Sequence, residues 1–402
     1  MIEPVTLGGP ARRVNALVLV ALTLAALAPA TGPRLAALAL AWLAPGTAPD
    51  LANSDFVNYW MAGRLAIAGD VSLLFDPPAY YAALQAMFGA DYPPHNWSYP
   101  PHAILLFWPL GLLSFKAALA AFLAATLAFY LWSAQAFRTR FAPDCDAALF
   151  WTAHLAFIAV NAAATQNGFL TGGLILVFLA RSDSRPWLAG LCLGLLTIKP
   201  QLGLLAPLAL LFAARWRATA WAVVFTVLFV GASVLAFGIA GWRAYLEVVV
   251  PYQHFVMTNW EGAMLLMMPT IASGLRQIGV DASTALAFQA GFSLLCAPLA
   301  LLALWKSRND GFLQATAFVF ASFLVAPYSF NYDMGAVTTV CAILLARSGA
   351  QPASHRIFAA LVCLLPVTVV FFAAAKAPLA PLMLLGGLVV FALPRRILPA
   401  GK

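Results

Sequence analysis

Apolar runs long enough to cross a ~30 Å hydrocarbon core recur from one end of this chain to the other, and no other feature restricts its fold as much. They begin at Val14 and return up to the last residues, broken by short polar or Pro/Gly-containing joints. Lipid offers no water to backbone amides, so only α-helices and closed barrels can cross it. The alternating pattern of a barrel strand is missing. The spacing therefore predicts an all-α polytopic integral membrane protein of about 10–12 transmembrane helices, some of them short, forming one domain over residues 1–402. Composition agrees: 63% of the 402 residues are hydrophobic and 9% charged, against about 25% charged in soluble proteins.

The formal charge of +8 raises nucleic acid as a partner, but its layout argues against it. Basic residues occur in small clusters between apolar runs, among them Arg12-Arg13, Arg138 and Arg140, Arg215 and Arg217, and Arg395-Arg396. These fit topology anchors under the positive-inside bias. Both termini are then expected in the cytoplasm, with residues 46–98 on the periplasmic face of a bacterial-type inner membrane. Val14–Ala30 reads as an uncleaved first helix, continuing with a kink or a short second piece after Thr31-Gly32-Pro33. The five cysteines form no CxxC pair and read as small buried hydrophobes.

The loop 46–98 is the least oily stretch and holds Asp50, Asp55, Asp70, Asp76 and Asp91, five of only 14 acidic residues. Within it Asp55, Tyr59, Ala62 and Ala66 share one helical face by three- and four-residue spacing, while Phe56, Trp60, Arg64 and Ile67 share another. That is the pattern of an interfacial amphipathic helix. Asp76-Pro77-Pro78 predicts a second helix running to about Phe88, with proline in its first turn. Further on, Gln166-Asn167-Gly168 and Lys199-Pro200-Gln201 cut two apolar runs short. Interrupted membrane helices commonly line a polar cavity.

Four stretches carry a resemblance to a known family. The first is Asp55-Phe56 followed by Gly69-Asp70 and Phe75-Asp76-Pro77; the second is "SYPPHAILLFWPL" at Ser98–Leu110. The others are "TQNGFLTGGLILVFLA" at Thr165–Ala180 and the glycine-rich, lysine-proline run with its closing basic cluster at Trp187–Ala218. In this order they resemble the GT-C superfamily of membrane glycosyltransferases, and most closely glycosyltransferase family 87, over roughly residues 50–335. The resemblance implies a GT-C-like fold and transfer of a hexose, mannose above all, from a polyprenyl-phosphate sugar to a lipid or glycan acceptor. Inversion at the anomeric carbon and an active site on the periplasmic side are implied as well. The chain departs from mycobacterial-type members at Ala326–Asp333, which reads Ala-Pro-Tyr-Ser-Phe-Asn-Tyr-Asp where a Ser-Trp-His-His-like element is found; this bears on the acceptor and the sugar.

The residues themselves fit that chemistry. A sugar phosphate already has a good leaving group, so one of the two carboxylates of a glycoside hydrolase is dispensable. A base for the acceptor hydroxyl is still needed, and Asp55 is the candidate catalytic residue; its competing reading is a helix cap. Lys199, inside apolar sequence, is a candidate phosphate ligand or a lysine snorkelling to water. Tyr59, Tyr99, His102, Gln166, Gln201, His254, Tyr332 and Asp333 are candidate substrate contacts, with interhelical hydrogen bonding, capping or ion pairing as the competing roles. No metal and no cofactor is expected, because the donor carries a single phosphate. A secondary transporter or flippase is the alternative class, but it should show internal repeats and more pathway charges.

Overall fold

The computed structural model describes residues 9–44, 46, 49–259, 261–347 and 352–393, and every regular element among them is helical. Arg395-Arg396 lie outside the described residues. In chain order the elements that matter here are α1 (Gly9–Ala30), α2 (Gly32–Leu43), α3 (Phe56–Ala68), α4 (Pro77–Phe88), α5 (Pro101–Leu112), α6 (Phe115–Phe141), α7 (Ala147–Ala164) and α8 (Gly168–Arg181). They continue with α9 (Pro186–Leu196), α10 (Pro200–Phe212), α11 (Trp216–Asn259), α12 (Ala282–Lys306), α13 (Gly311–Val325), α14 (Gly335–Ala346), α15 (Ala353–Ala374) and α16 (Leu379–Ala392).

Five of these, α6, α7, α11, α12 and α15, are long and apolar enough to cross a membrane, and α1 with α2 makes a sixth candidate broken by 67°. The break falls where Pro33 follows Gly32, because proline cannot donate to the preceding turn. At 1.5 Å per residue, α6 alone is about 40 Å long, more than the hydrocarbon core requires. The protein is thus an all-α, multi-pass membrane protein.

The short helices are the buried ones. In α14 all residues from Gly335 to Ala346 are buried, and α8 and α13 are enclosed almost as completely. Surrounded by protein, these helices can stop short of a full crossing, since their terminal backbone groups meet side chains rather than lipid. Their ends, not their flanks, therefore build polar sites. Tyr130 of α6 ties the layer together by donating to the Gly335 carbonyl at 2.8 Å. Its neighbour His154 links helices by way of Thr339 (Nε2···Oγ1 3.1 Å).

A second core covers the N-terminal end of α6. Phe56, Tyr59, Trp97, Phe107 and Phe122 pack there, with Tyr59 stacked on Phe107 at 4.4 Å. This core corrects the simple amphipathic picture of α3: Phe56 and Tyr59, assigned to different faces, are both fully buried. The reason is close backbone approach. Gly63 of α3 and Gly111 of α5 face each other so closely that a Cβ on either would overlap the other's backbone. α5 therefore lies along α3 and closes the side that an interfacial helix would show to lipid or water. α4 begins as expected, with the Asp76 carboxylate capping Ala79 N–H at 3.1 Å.

The long α11 bends at Gly238, whose φ of +76° is open to glycine at little expense. Trp242 beyond the bend donates to Ser233 before it at 2.9 Å. The bend brings a π-helical turn at Tyr245–Val249 over the same end of the bundle.

Candidate active site

A cavity of about 790 Å³ opens at that end, between the start of α3, the segment before α5, the N-termini of α8 and α10, the distal part of α11 and the turn before α14. Asp55, Tyr99, Gln166, Lys199, Gln201 and Tyr332 all line it. One wall is apolar and carries Met257, Met264 and Met267, side chains that adapt to irregular apolar ligands.

Four other aspartates, Asp76, Asp146, Asp281 and Asp310, cap helices with their carboxylates. Asp55 does not. It stands at the N-cap position of α3 with helical backbone angles and makes no capping bond. Its Oδ2 instead accepts from Gln166 Nε2 at 2.6 Å, across 111 residues of sequence. Gln166 Oε1 in turn accepts from the Tyr59 hydroxyl at 2.6 Å and from Asn167 N–H at 3.2 Å. Tyr59 and Tyr99 share a hydroxyl–hydroxyl bond of 2.7 Å, and Asn167 Nδ2 donates to Tyr99 at 3.3 Å.

Donor counting gives this chain a direction. A backbone N–H can only donate, so Gln166 must turn its carbonyl towards Asn167 and its NH₂ towards Asp55. With Tyr59 donating to Gln166, its oxygen is left to accept from Tyr99, and Tyr99 accepts from Asn167. Every bond thus points its donor along one path ending at the Asp55 carboxylate. Burial raises the Tyr59 phenol well above its ordinary pKa, with Tyr99 and Asp55 pushing the same way, so Tyr59 stays a neutral donor. The arrangement fixes a carboxylate at the cavity wall, with Gln166 Nε2 holding one of its oxygens.

The second charged group is an ion pair. Lys199 Nζ meets Asp333 Oδ1 at 2.8 Å, with side-chain exposures of 8% and 1%. The ammonium also lies 5.0 Å from the centre of the Tyr332 ring, itself stacked on Phe330. Lys199 is therefore held by the protein rather than snorkelling to water. An ammonium has three donors, so one bond to Asp333 leaves others free for a ligand in the cavity.

Gly168 explains why these distant stretches meet. A Cβ at this position would overlap the Tyr332 carbonyl oxygen, so the start of α8 and the turn before α14 touch through backbone alone. Gly168→Ala must push them apart. We expect loss of most transfer activity with the bundle still assembled, checked by activity beside size-exclusion behaviour in detergent.

Two candidate residues are placed elsewhere. His102 is buried against Thr197 (Nε2···Oγ1 2.9 Å) and stacked on Trp242, behind the cavity wall. His254 points out of α11 and is exposed, while the adjacent Gln253 lines the cavity and donates to Ser98 at 3.0 Å. Tyr59 is not at the surface of the cavity but one bond behind it. Asn167 and Asn58 are the residues that sequence reasoning missed. Asn167 had a signal, a second amide beside Gln166 at a helix break; Asn58 lies three residues after Asp55 and accepts from Tyr80 at 2.8 Å. Among the described residues no three His, Cys, Asp or Glu side chains gather as a metal site.

No curated protein and no solved structure matches the chain. The sequence does match glycosyltransferase family 87 over residues 97–327, a stretch that includes Tyr99, Gln166, Lys199 and Gln201 and stops short of Asp55 and Tyr332-Asp333. That stretch is more than half of the chain and supplies most walls of the cavity; the protein belongs to glycosyltransferase family 87 and is a membrane glycosyltransferase.

Proposed function

We propose that the protein moves a hexose, mannose, from a polyprenyl-phosphate donor to a glycan or glycolipid acceptor, inverting the anomeric carbon in a single displacement. The observation that carries this reading is an uncapped carboxylate, Asp55, held by a directed hydrogen-bond chain on the wall of a cavity that also presents Lys199. The acceptor hydroxyl oxygen attacks the anomeric carbon while Asp55 takes its proton. The bond from that carbon to the phosphate oxygen breaks, and polyprenyl phosphate leaves as the anion beside Lys199. No acid is needed at the leaving group, because a phosphate departs without protonation. Gln166 orients the base, and Tyr99, Gln201 and Tyr332 are the groups available to sugar hydroxyls. The methionine-lined wall suits the first prenyl units, which reach the cavity from the lipid. Neither a metal nor a cofactor enters the scheme: the donor has one phosphate, and Lys199 meets it.

The test is an assay of the purified protein in lipid with labelled polyprenyl-phosphate mannose, glucose and arabinose across glycan and glycolipid acceptors. Transfer from the mannose donor alone supports the assignment; transfer from another donor in its place, or from a nucleotide sugar, overturns it.

We assign the cavity to the periplasmic face of a bacterial inner membrane, since the basic joints gather at the opposite ends of the helices. Asp70 and Asp91 are exposed on the cavity side and Ser184 is exposed at the other end. The native cysteines are buried, so introduced ones report cleanly. Asp70→Cys and Asp91→Cys should react with an impermeant thiol reagent in intact cells and Ser184→Cys should not. The reverse pattern inverts the topology.

A further inference from the structure

At the far end of the bundle a second cavity of about 530 Å³ is polar throughout its charged rim. Four arginines border it, Arg140, Arg215, Arg308 and Arg347, against two acids, Asp183 and Asp310. They arrive on different elements: Arg140 closes α6, Arg215 precedes α11, Arg308 follows α12, and Arg347 follows α14. Helices α6, α8 and α14 begin near the candidate active site and end here, so the two cavities sit at opposite ends of the same helices.

Asp183 is bonded through both oxygens and Asp310 through one. Asp183 receives two bonds from Arg215, Nε to Oδ1 at 2.6 Å and Nη2 to Oδ2 at 2.9 Å, and Arg215 Nη1 goes to Gln314 at 2.6 Å. The Asp310 carboxylate caps α13 through Phe312 and Leu313 N–H. Among the described residues Arg140, Arg308 and Arg347 have no carboxylate within ion-pair distance. Arg347 donates once, to the Phe141 carbonyl, and rests on the Phe312 ring; Arg308 donates to the Trp305 carbonyl and rests on that ring. Each therefore keeps guanidinium donors over a concave site whose remaining charge is positive. Planar, weakly hydrated guanidinium forks favour phosphate oxygens.

The depth of the site says where the phosphate comes from. Trp216 and Trp305, beside Arg215 and Arg308, are 62% and 49% exposed on helices that face lipid. Exposed tryptophans at helix ends mark the headgroup level. Basic pockets between helices at that level are suited to anionic headgroups.

We propose that this arginine-rimmed cavity binds the phosphate of an anionic phospholipid headgroup, at a site separate from the donor cavity. Positive-inside anchoring accounts for a basic face, but not for three arginines beyond ion-pair distance of any carboxylate converging on one pocket that holds four arginines against two acids. The test uses the full chain, purified in neutral detergent and titrated with phosphatidylglycerol or phosphatidylcholine, with retained lipid read by native mass spectrometry. The wild type should keep phosphatidylglycerol in preference to phosphatidylcholine. Arg140→Gln with Arg308→Gln should lower that retention about tenfold or more. Inorganic phosphate in excess should not displace the lipid. Equal retention by wild type and variant, or no preference for the anionic lipid, overturns the proposal; displacement by inorganic phosphate overturns it in favour of a soluble anion. Should the Gln pair fail to fold, the single variants Arg140→Gln and Arg308→Gln are titrated in the same way. Reduced retention then supports the site, and unchanged retention rejects it.

Discussion

Asp55→Asn should fold, bind donor and turn over about 10²–10⁴-fold more slowly, the usual contribution of a general base. The substitution is unusually clean here. Asn at this position still offers a carbonyl oxygen to Gln166 Nε2, so the chain from Asn167 through Tyr99, Tyr59 and Gln166 keeps its final acceptor. No helix cap is lost, because Asp55 makes none. What disappears is the ability to take a proton at neutral pH. Asp55→Glu keeps that ability but extends the carboxylate by one methylene, so a fraction of activity should survive. Thermal stability and turnover measured on the same preparations separate the outcomes. A fully active Asp55→Asn enzyme would remove Asp55 from the chemistry, and a large stability loss would return it to a structural role.

Much of this arrangement was legible in the sequence because it depends on local pattern. Membrane-crossing helices show as apolar runs, the bend after Thr31 as a Gly-Pro joint, and the start of α4 as an aspartate before two prolines. The interrupted runs at Gln166 and Lys199 marked where a polar cavity would lie, and both residues line it. Side-chain partnership was not legible. Asp55 pairs with Gln166 over 111 residues and Lys199 with Asp333 over 134, separations that no helical period encodes. For Asp55 the ambiguity was intrinsic: a capping aspartate and one turned to a distant partner occupy the same place before a helix, and only the carboxylate's partner distinguishes them. His102 and His254 show the converse. Position along the chain made both candidates, but a side chain's direction follows helix rotation and packing. Trp242 and Thr197 enclose His102, while rotation of α11 turns Gln253 inward and its neighbour outward. The burial of α3 was hidden for another reason, since its cause is a glycine on each of two separate elements.

The Lys199–Asp333 pair is where structure and chemistry are hardest to separate by a single substitution. Lys199→Met should lower stability by about 3–5 kcal/mol, because removing one partner strands a buried charge. Asp333→Leu should do the same by stranding the ammonium. Loss of activity in either variant would therefore say little about phosphate binding. The double variant is informative. Replacing a buried ion pair by apolar residues of similar volume is often neutral or stabilising, so Lys199→Met with Asp333→Leu should recover most of the lost stability. If Lys199 serves only to neutralise Asp333, the double variant should recover activity too. If its remaining donors hold the donor phosphate, the variant should be stable and still bind polyprenyl-phosphate sugar far more weakly, with little turnover. Lys199→Arg should stay folded and keep part of the donor affinity, since one phosphate is met chiefly as charge. Unfolding in lipid and equilibrium binding of labelled donor, measured on the wild type, the two apolar single variants and the double variant, form a closed cycle. Wild-type donor affinity in a stable double variant would leave Lys199 as an ion partner and nothing more.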